Sequence, residues 1–154
     1  MIFCSVRIDE LSKSDALKKA RAFLSDDMGH TIFTPNPEMI VAADVDEYFC
    51  ATLNRGDLNL CDGYGIQLFA KESVERIVGV DFMVDICALA EQENKSVYLL
   101  GSGDAGVVVA VAEKLRNKFP RLQIVGCDPG IKILQADFKI DYNKEDNDKM
   151  IDAI

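Results

Sequence analysis

Positive charge is scarce in this chain: 17 lysines and arginines stand against 26 aspartates and glutamates, a formal net charge of −9 over 154 residues. That deficit argues against nucleic acid or anionic membrane surface as a wholesale partner, because both are bound by neutralising phosphates with lysine and arginine. A phosphate would have to be held by individually placed groups. Histidine occurs once, at His30, and the five cysteines at positions 4, 50, 61, 87 and 127 form no CxxC pair, which leaves little material for a zinc site. Cysteines scattered through apolar runs predict reduced, buried thiols in an intracellular protein. No run reaches the roughly 18 apolar residues of a bilayer span, and the start, Met1-Ile2-Phe3-Cys4-Ser5-Val6-Arg7, lacks the basic region of a signal peptide; a cytoplasmic location is expected. Repeats, low-complexity tracts and linkers are absent too. No Asp-x-Asp pair closes a strand: Asp44-Val45-Asp46 falls in a helical stretch, where its carboxylates diverge into solvent, so no metal is expected.

What is present reads as one soluble globular domain, with 49% hydrophobic and 28% charged residues, both ordinary values. Ser12 or Ser14 is placed to cap a helix reaching to about Asp27, with Ala16, Leu17, Ala20, Phe23 and Leu24 as its buried stripe and Met28-Gly29 as its end. His30 to Phe33 reads as a strand, His30 itself being a loop or edge residue. Glu38 to Leu53 carries helical apolar spacing, and Leu58 to Cys61 is a second strand. A short helix over Ile66 to Lys71 comes next, then a helix from Phe82 to Glu93 with Asp81 as its cap. Ser96 to Leu100 is the clearest strand, Gly106 to Phe119 a helix closed by Pro120, and Leu122 to Gly126 the next strand. Alternating strands and helices predict an α/β fold: a Rossmann-like parallel sheet with helices on both faces, in a single domain.

Two motifs sit where such folds keep their chemistry, at strand ends. Thr34-Pro35-Asn36-Pro37-Glu38-Met39 follows the first strand and Asp62-Gly63-Tyr64-Gly65 the second, so a hydroxyl, an amide and a carboxylate would share one sheet edge. Each also has a structural reading: Asp-Gly is a common turn and Asn-Pro a common helix entry. A third motif, Gly101-Ser102-Gly103-Asp104-Ala105-Gly106, spells GxGxxG between a strand and a helix. It suits a nucleotide diphosphate or ribose, a dinucleotide, or a purely structural turn. The acidic Asp128 lies farther along than the roughly 20 residues usual for a dinucleotide site.

These blocks, with Glu75-Arg76-Ile77-Val78-Gly79-Val80-Asp81 and Tyr98-Leu99-Leu100-Gly101, resemble the bacterial WecG/TagA/CpsF glycosyltransferases along nearly the whole chain. The resemblance implies transfer of an N-acetylmannosamine-type sugar, with inversion, from a UDP donor to a polyprenyl-diphosphate-linked N-acetylglucosamine, in cell-surface polysaccharide or teichoic acid synthesis. It implies Asp62 as catalytic base, Thr34, Asn36 and Gly63 at the sugar, Arg76 at a phosphate, and Gly101, Ser102 and Gly103 at the nucleotide. Chemically, Asp62 after an apolar strand suits removal of a hydroxyl proton, and Thr34 and Asn36 are neutral donors and acceptors for sugar hydroxyls or an acetamido group. Arg76 offers a bidentate guanidinium, or else a surface ion pair with Glu75 or Glu72, and the interval from Asp62 to Arg76 is shorter than the family's. No cofactor beyond the donor sugar is expected. The family continues beyond the position of Ile154, so the chain reads as C-terminally truncated, with a missing appendage that supplies arginines and the contact to the inner membrane face. An apolar helix face left uncovered would favour self-association. The alternatives are an NAD-dependent oxidoreductase using the GxGxxG turn and a non-catalytic nucleotide-sugar-binding remnant.

Overall fold

A computed structural model describes residues 1–70, 74–101, 103–131, 134–136, 139–141 and 143–152, in two compact units, Met1–Ile86 and Cys87–Ile154. The first opens with an antiparallel hairpin, β1 (Ile2–Phe3) and β2 (Val6–Arg7). Its two-residue loop holds Cys4 and Ser5 at φ 44° and 68°, the left-handed pair that a hairpin twist demands and that side chains usually resist. Helix α1 (Lys13–Phe23) starts at Ser12, whose Oγ accepts from the Asp15 N–H at 3.1 Å. It ends before Asp27, with Leu24 instead of Met28-Gly29 closing it. Ala16 and Ala20 form its buried line.

Strand β3 (Ile32–Phe33) pairs in parallel with β4 (Leu58–Asn59), as the buried apolar segments predicted. The connection is two helices, α2 (Pro37–Val45) and α3 (Glu47–Asn54), where one was expected. Asp46 breaks them: it takes an extended backbone, and its carboxylate accepts from the Phe49 N–H at 2.9 Å as the cap of α3. Helix α4 (Tyr64–Phe69) follows β4. Val6, Ile8, Ile40, Leu53, Cys61 and Ile66 make the core of this unit. Inside it Asn59, the one fully buried polar side chain among the described residues, donates to the carbonyls of Arg7 and Leu53 at 2.9 Å each and so ties β2 and α3 to β4. Its own N–H goes to the Asp9 carboxylate at 2.8 Å.

Helix α5 (Gly79–Gln92) begins in the first unit and runs on into the second. It starts earlier than predicted, so Asp81 lies in its first turn and is not its cap. There Asp81 helps, with Asp85 and Glu75, to hold the Lys13 ammonium above its ordinary proton affinity; the largest cause is the hydrogen bond to Asp85, at 2.7 Å.

In the second unit β5 (Ser96–Leu100) pairs in parallel with β6 (Gln123–Asp128) across α6 (Ala105–Lys118), much as predicted. The register slips between Val97 and Tyr98, where the Tyr98 ring fills the place a side chain at Gly126 would need. Val108, Ala112 and Leu115 of α6 pack with Leu99, Leu122 and Cys87. A hairpin of β7 (Leu134–Ala136) and β8 (Lys139–Asp141) leads to α7 (Lys144–Asp152). Parallel pairing is thus present in each unit, while the strand pairs found among the described residues are four separate two-stranded sheets. The cysteines are free, but only Cys61 and Cys87 are buried; Cys4 is exposed and Cys50 and Cys127 are half-buried.

Candidate active site

The two strand ends of the first unit stay side by side after the regular strands stop. Leu60 N–H reaches the Phe33 carbonyl at 2.9 Å and Asp62 N–H the Pro35 carbonyl at 3.0 Å, which brings both motifs to one edge. Asn36 then turns the chain into α2: its Oδ1 accepts from the Met39 N–H at 2.9 Å, and Pro37 takes the first helical position, where its missing N–H costs nothing. Asn36 is therefore a cap, as the helix-entry reading allowed, and among the described residues its Nδ2 stays without a partner.

Three segments meet at the start of α5. Asp62 Oδ2 accepts from the Gly79 N–H at 2.8 Å. A Cβ on Gly79 would stand 2.6 Å from Thr34 Oγ1 and 2.9 Å from Asp62 Oδ2, so the threonine hydroxyl and the carboxylate converge on that glycine. Asp62 is half-buried, and its Oδ1 has no partner among the described residues. Gly63 is buried, and a Cβ there would lie 2.5 Å from Pro37 Cδ. The Pro37 ring also crowds Gly65, at 3.3 Å. Both glycines make room for a proline.

Arg76 lies on the segment whose Ile77 N–H bonds the Cys61 carbonyl at 2.8 Å. It is exposed and makes no ion pair among the described residues; Glu75 instead accepts from the Lys13 N–H at 3.0 Å, and Glu72 lies outside the described residues. The charge of Arg76 is nonetheless felt at the strand end. Burial pushes the Cys61 thiol up, Asp62 adds to that, and Arg76 acts against it.

The glycine turn belongs to the second unit. Gly101 and Gly103 have φ 126° and 67°, conformations that favour glycine, and a Cβ on either would meet nothing within 4 Å. Their N–H groups are already used, Gly101 donating to the Asp128 carbonyl at 3.0 Å and Gly103 to the Pro129 carbonyl at 2.9 Å. The N-terminus of α6 is occupied as well: Asp104 Oδ1 accepts from Gly106 at 2.7 Å and Val107 at 3.2 Å. A carboxylate therefore stands where a phosphate would bind a helix N-terminus. Ser102 lies outside the described residues. Among them, no cluster of histidine, cysteine and carboxylate is arranged to hold a metal, and Asp46, the second acid of Asp-Val-Asp, is spent on a cap.

The model of the Glycosyl transferase WecG/TagA/CpsF family matches residues 1–154. The chain belongs to this family. It is 30% identical over 112 residues to the N-acetylglucosaminyldiphosphoundecaprenol N-acetyl-beta-D-mannosaminyltransferase of Bacillus spizizenii, and 26% identical over 112 residues to the protein of the same name from Bacillus subtilis. Each match covers 70% of this chain and 43% of the relative, so the chain spans less than half the length of these curated relatives. Within this WecG/TagA/CpsF chain, sequence reading missed Gly79 and Pro37. The Glu75 to Asp81 block pointed to Gly79, and the two glycines of DGYG to a bulky neighbour, but neither signal named the contact.

Proposed function

We propose that this chain carries the transfer chemistry of an inverting glycosyltransferase, moving an N-acetylmannosamine-type sugar from a UDP donor to a polyprenyl-diphosphate-linked N-acetylglucosamine at a membrane surface. The observation behind this reading is the meeting of Thr34 Oγ1 and Asp62 Oδ2 over Gly79, with Oδ1 of Asp62 left open. Asp62, steadied through Oδ2, takes the acceptor hydroxyl proton on Oδ1. The acceptor oxygen bonds to the anomeric carbon as the bond to the UDP oxygen breaks on the opposite face, and UDP leaves with that electron pair. Thr34 and the Nδ2 of Asn36 hold sugar hydroxyls and the acetamido carbonyl, and Arg76 takes up phosphate charge.

In the second unit, the amides of Gly101 and Gly103 and the α6 N-terminus are engaged, so this turn suits the ribose of a nucleotide and not its diphosphate. The same engagement counts against an NAD-dependent oxidoreductase, whose pyrophosphate would need those donors. No helix among the described residues is long and apolar enough to cross a membrane, in keeping with peripheral action on a lipid-linked acceptor.

Calorimetric titration with UDP, UDP-N-acetylmannosamine and NADH tests the ligand class; saturable UDP binding without NADH binding is expected, and the reverse would remove the reading. Asp62→Asn should leave UDP binding unchanged while transfer falls by roughly 10²–10⁴-fold, the usual worth of a general base. Near-normal transfer by that variant would end the role of Asp62.

A further inference from the structure

The first unit carries an apolar groove of about 410 Å³ that the transfer chemistry does not use. Its walls are Phe3 and Cys4 of the hairpin, Ile40 and Val41 of α2, and Ile66 and Phe69 of α4, and its floor reaches Pro37 and Gly65. Among the described residues, no charged or hydrogen-bonding side chain lines it apart from the Cys4 thiol. Val41 and Phe69 are 70% and 74% exposed, and Val45, one helical turn beyond Val41, is 82% exposed, an apolar face that water alone would not favour. The volume falls within the roughly 300–1,000 Å³ of small-molecule sites.

Pro37 connects this groove to the site. One ring packs on Gly63 and Gly65 of the Asp62 turn and lines the groove as well. Asn36 precedes it, and only two residues separate Asp62 from Gly65, three steps of the chain with a reach of at most about 11 Å. We propose that the groove binds the first isoprene units of the acceptor lipid, next to its diphosphate. This rests on the acceptor class proposed above, in which a sugar at Asp62 is followed by a diphosphate and then by a branched hydrocarbon. The groove supplies the apolar end of that order, and its continuity with the Asp62 turn decides for the acceptor tail over an unrelated partner.

Cys4 makes the assignment measurable, because it is exposed and lines the groove. The rate of maleimide alkylation at Cys4, followed by mass spectrometry, is to be compared with and without farnesyl diphosphate, which carries fifteen carbons. Isopentenyl diphosphate serves as the short-tailed control and Cys127 as the internal reference. Farnesyl diphosphate should slow Cys4 at least about tenfold and leave Cys127 unchanged, isopentenyl diphosphate should do nothing, and Val41→Glu or Phe69→Glu should restore the free rate. Equal protection by the two diphosphates, or none by either, overturns the groove assignment, and the wild-type comparison stands even if a variant fails to fold. Concentration-dependent protection without ligand, together with a dimer in sedimentation, would give the face to a second copy and overturn it too. UDP binding measured on the same sample keeps the two readings apart: UDP bound without farnesyl protection removes the groove alone, while farnesyl protection without UDP binding removes the donor reading.

Discussion

Gly79 shows how much one absent atom can do. Its N–H fixes Asp62 Oδ2 and its bare Cα lets Thr34 Oγ1 approach, so a methyl group would push apart the hydroxyl and the carboxylate. Gly79→Ala should cut kcat on the order of 10²-fold, the cost of a misplacement near 1 Å, with KM for the donor little changed; steady-state kinetics would check this, and an unchanged kcat would refute it. Gly63→Ala acts through packing instead. Its Cβ meets a proline ring held at a helix start, so about 1–3 kcal/mol of stability should be lost, measurable by urea unfolding.

Caps and clasps decide the elements. Asn36→Ala should cost α2 about 0.5–2 kcal/mol, seen as a lower unfolding midpoint. His30 joins the end of α1 to the approach of β4: Nε2 lies 3.0 Å from Asp26 Oδ2, Nδ1 is 3.5 Å from Asp57 Oδ1, and the ring stacks on Phe23 at 4.0 Å. The hydrogen bond to Asp26 chiefly, and Asp57 in addition, raise the histidine above its ordinary 6.5. The folded state therefore holds this proton more tightly than the unfolded chain. The resulting stability is complete below about pH 6.5 and is lost as pH rises through the raised value. Asp26 is lowered, first by the Met28 N–H and then by His30, and Asp57 first by the Thr31 N–H, so their share is present above the ordinary aspartate range and fades on acidification. Thermal melts of wild type and His30→Gln should converge at alkaline pH; a constant gap from pH 5 to 9 would disprove the clasp.

Where the determinants were local, the elements were legible. The α6 helix has its stop at Pro120 in the sequence itself, and the parallel pairing of β3 with β4 could be read from two apolar runs around one helical stretch. The misses came from a helix break and from tertiary contacts. Glu38 to Leu53 keeps helical spacing across Asp46, and periodicity is blind to a change of axis when the residue that breaks one helix also caps the next. Glycine is a poor helix starter by propensity, so Asp81 looked the better beginning; the bond from Gly79 to a carboxylate 17 residues earlier reverses that preference. The positions of Asp62 and Thr34 were readable from the motifs, but not that one glycine would join them. Likewise GxGxxG gave the turn without revealing that Asp104 would fill the helix end.

At the scale of the whole molecule, a net charge of −9 opposes electrostatic attraction to an anionic surface. Anionic lipid should repel the chain, so co-sedimentation with phosphatidylserine vesicles should be weak and should not improve as salt is lowered. Binding that strengthens at low salt would instead reveal a local basic face. Any attachment through the groove between the hairpin, α2 and α4 should be nearly indifferent to salt, because it depends on apolar burial.

The three groups that meet at Gly79 all lie in the unit that ends at Ile86. Chains are synthesised from the amino terminus, and compact units tend to fold as they are completed. The threonine, the aspartate and the helix start can thus find one another while the residues of the glycine turn are still inside the ribosome. The order of translation places the corner of Thr34, Asp62 and Gly79 first and the turn at Gly101 and Gly103 second.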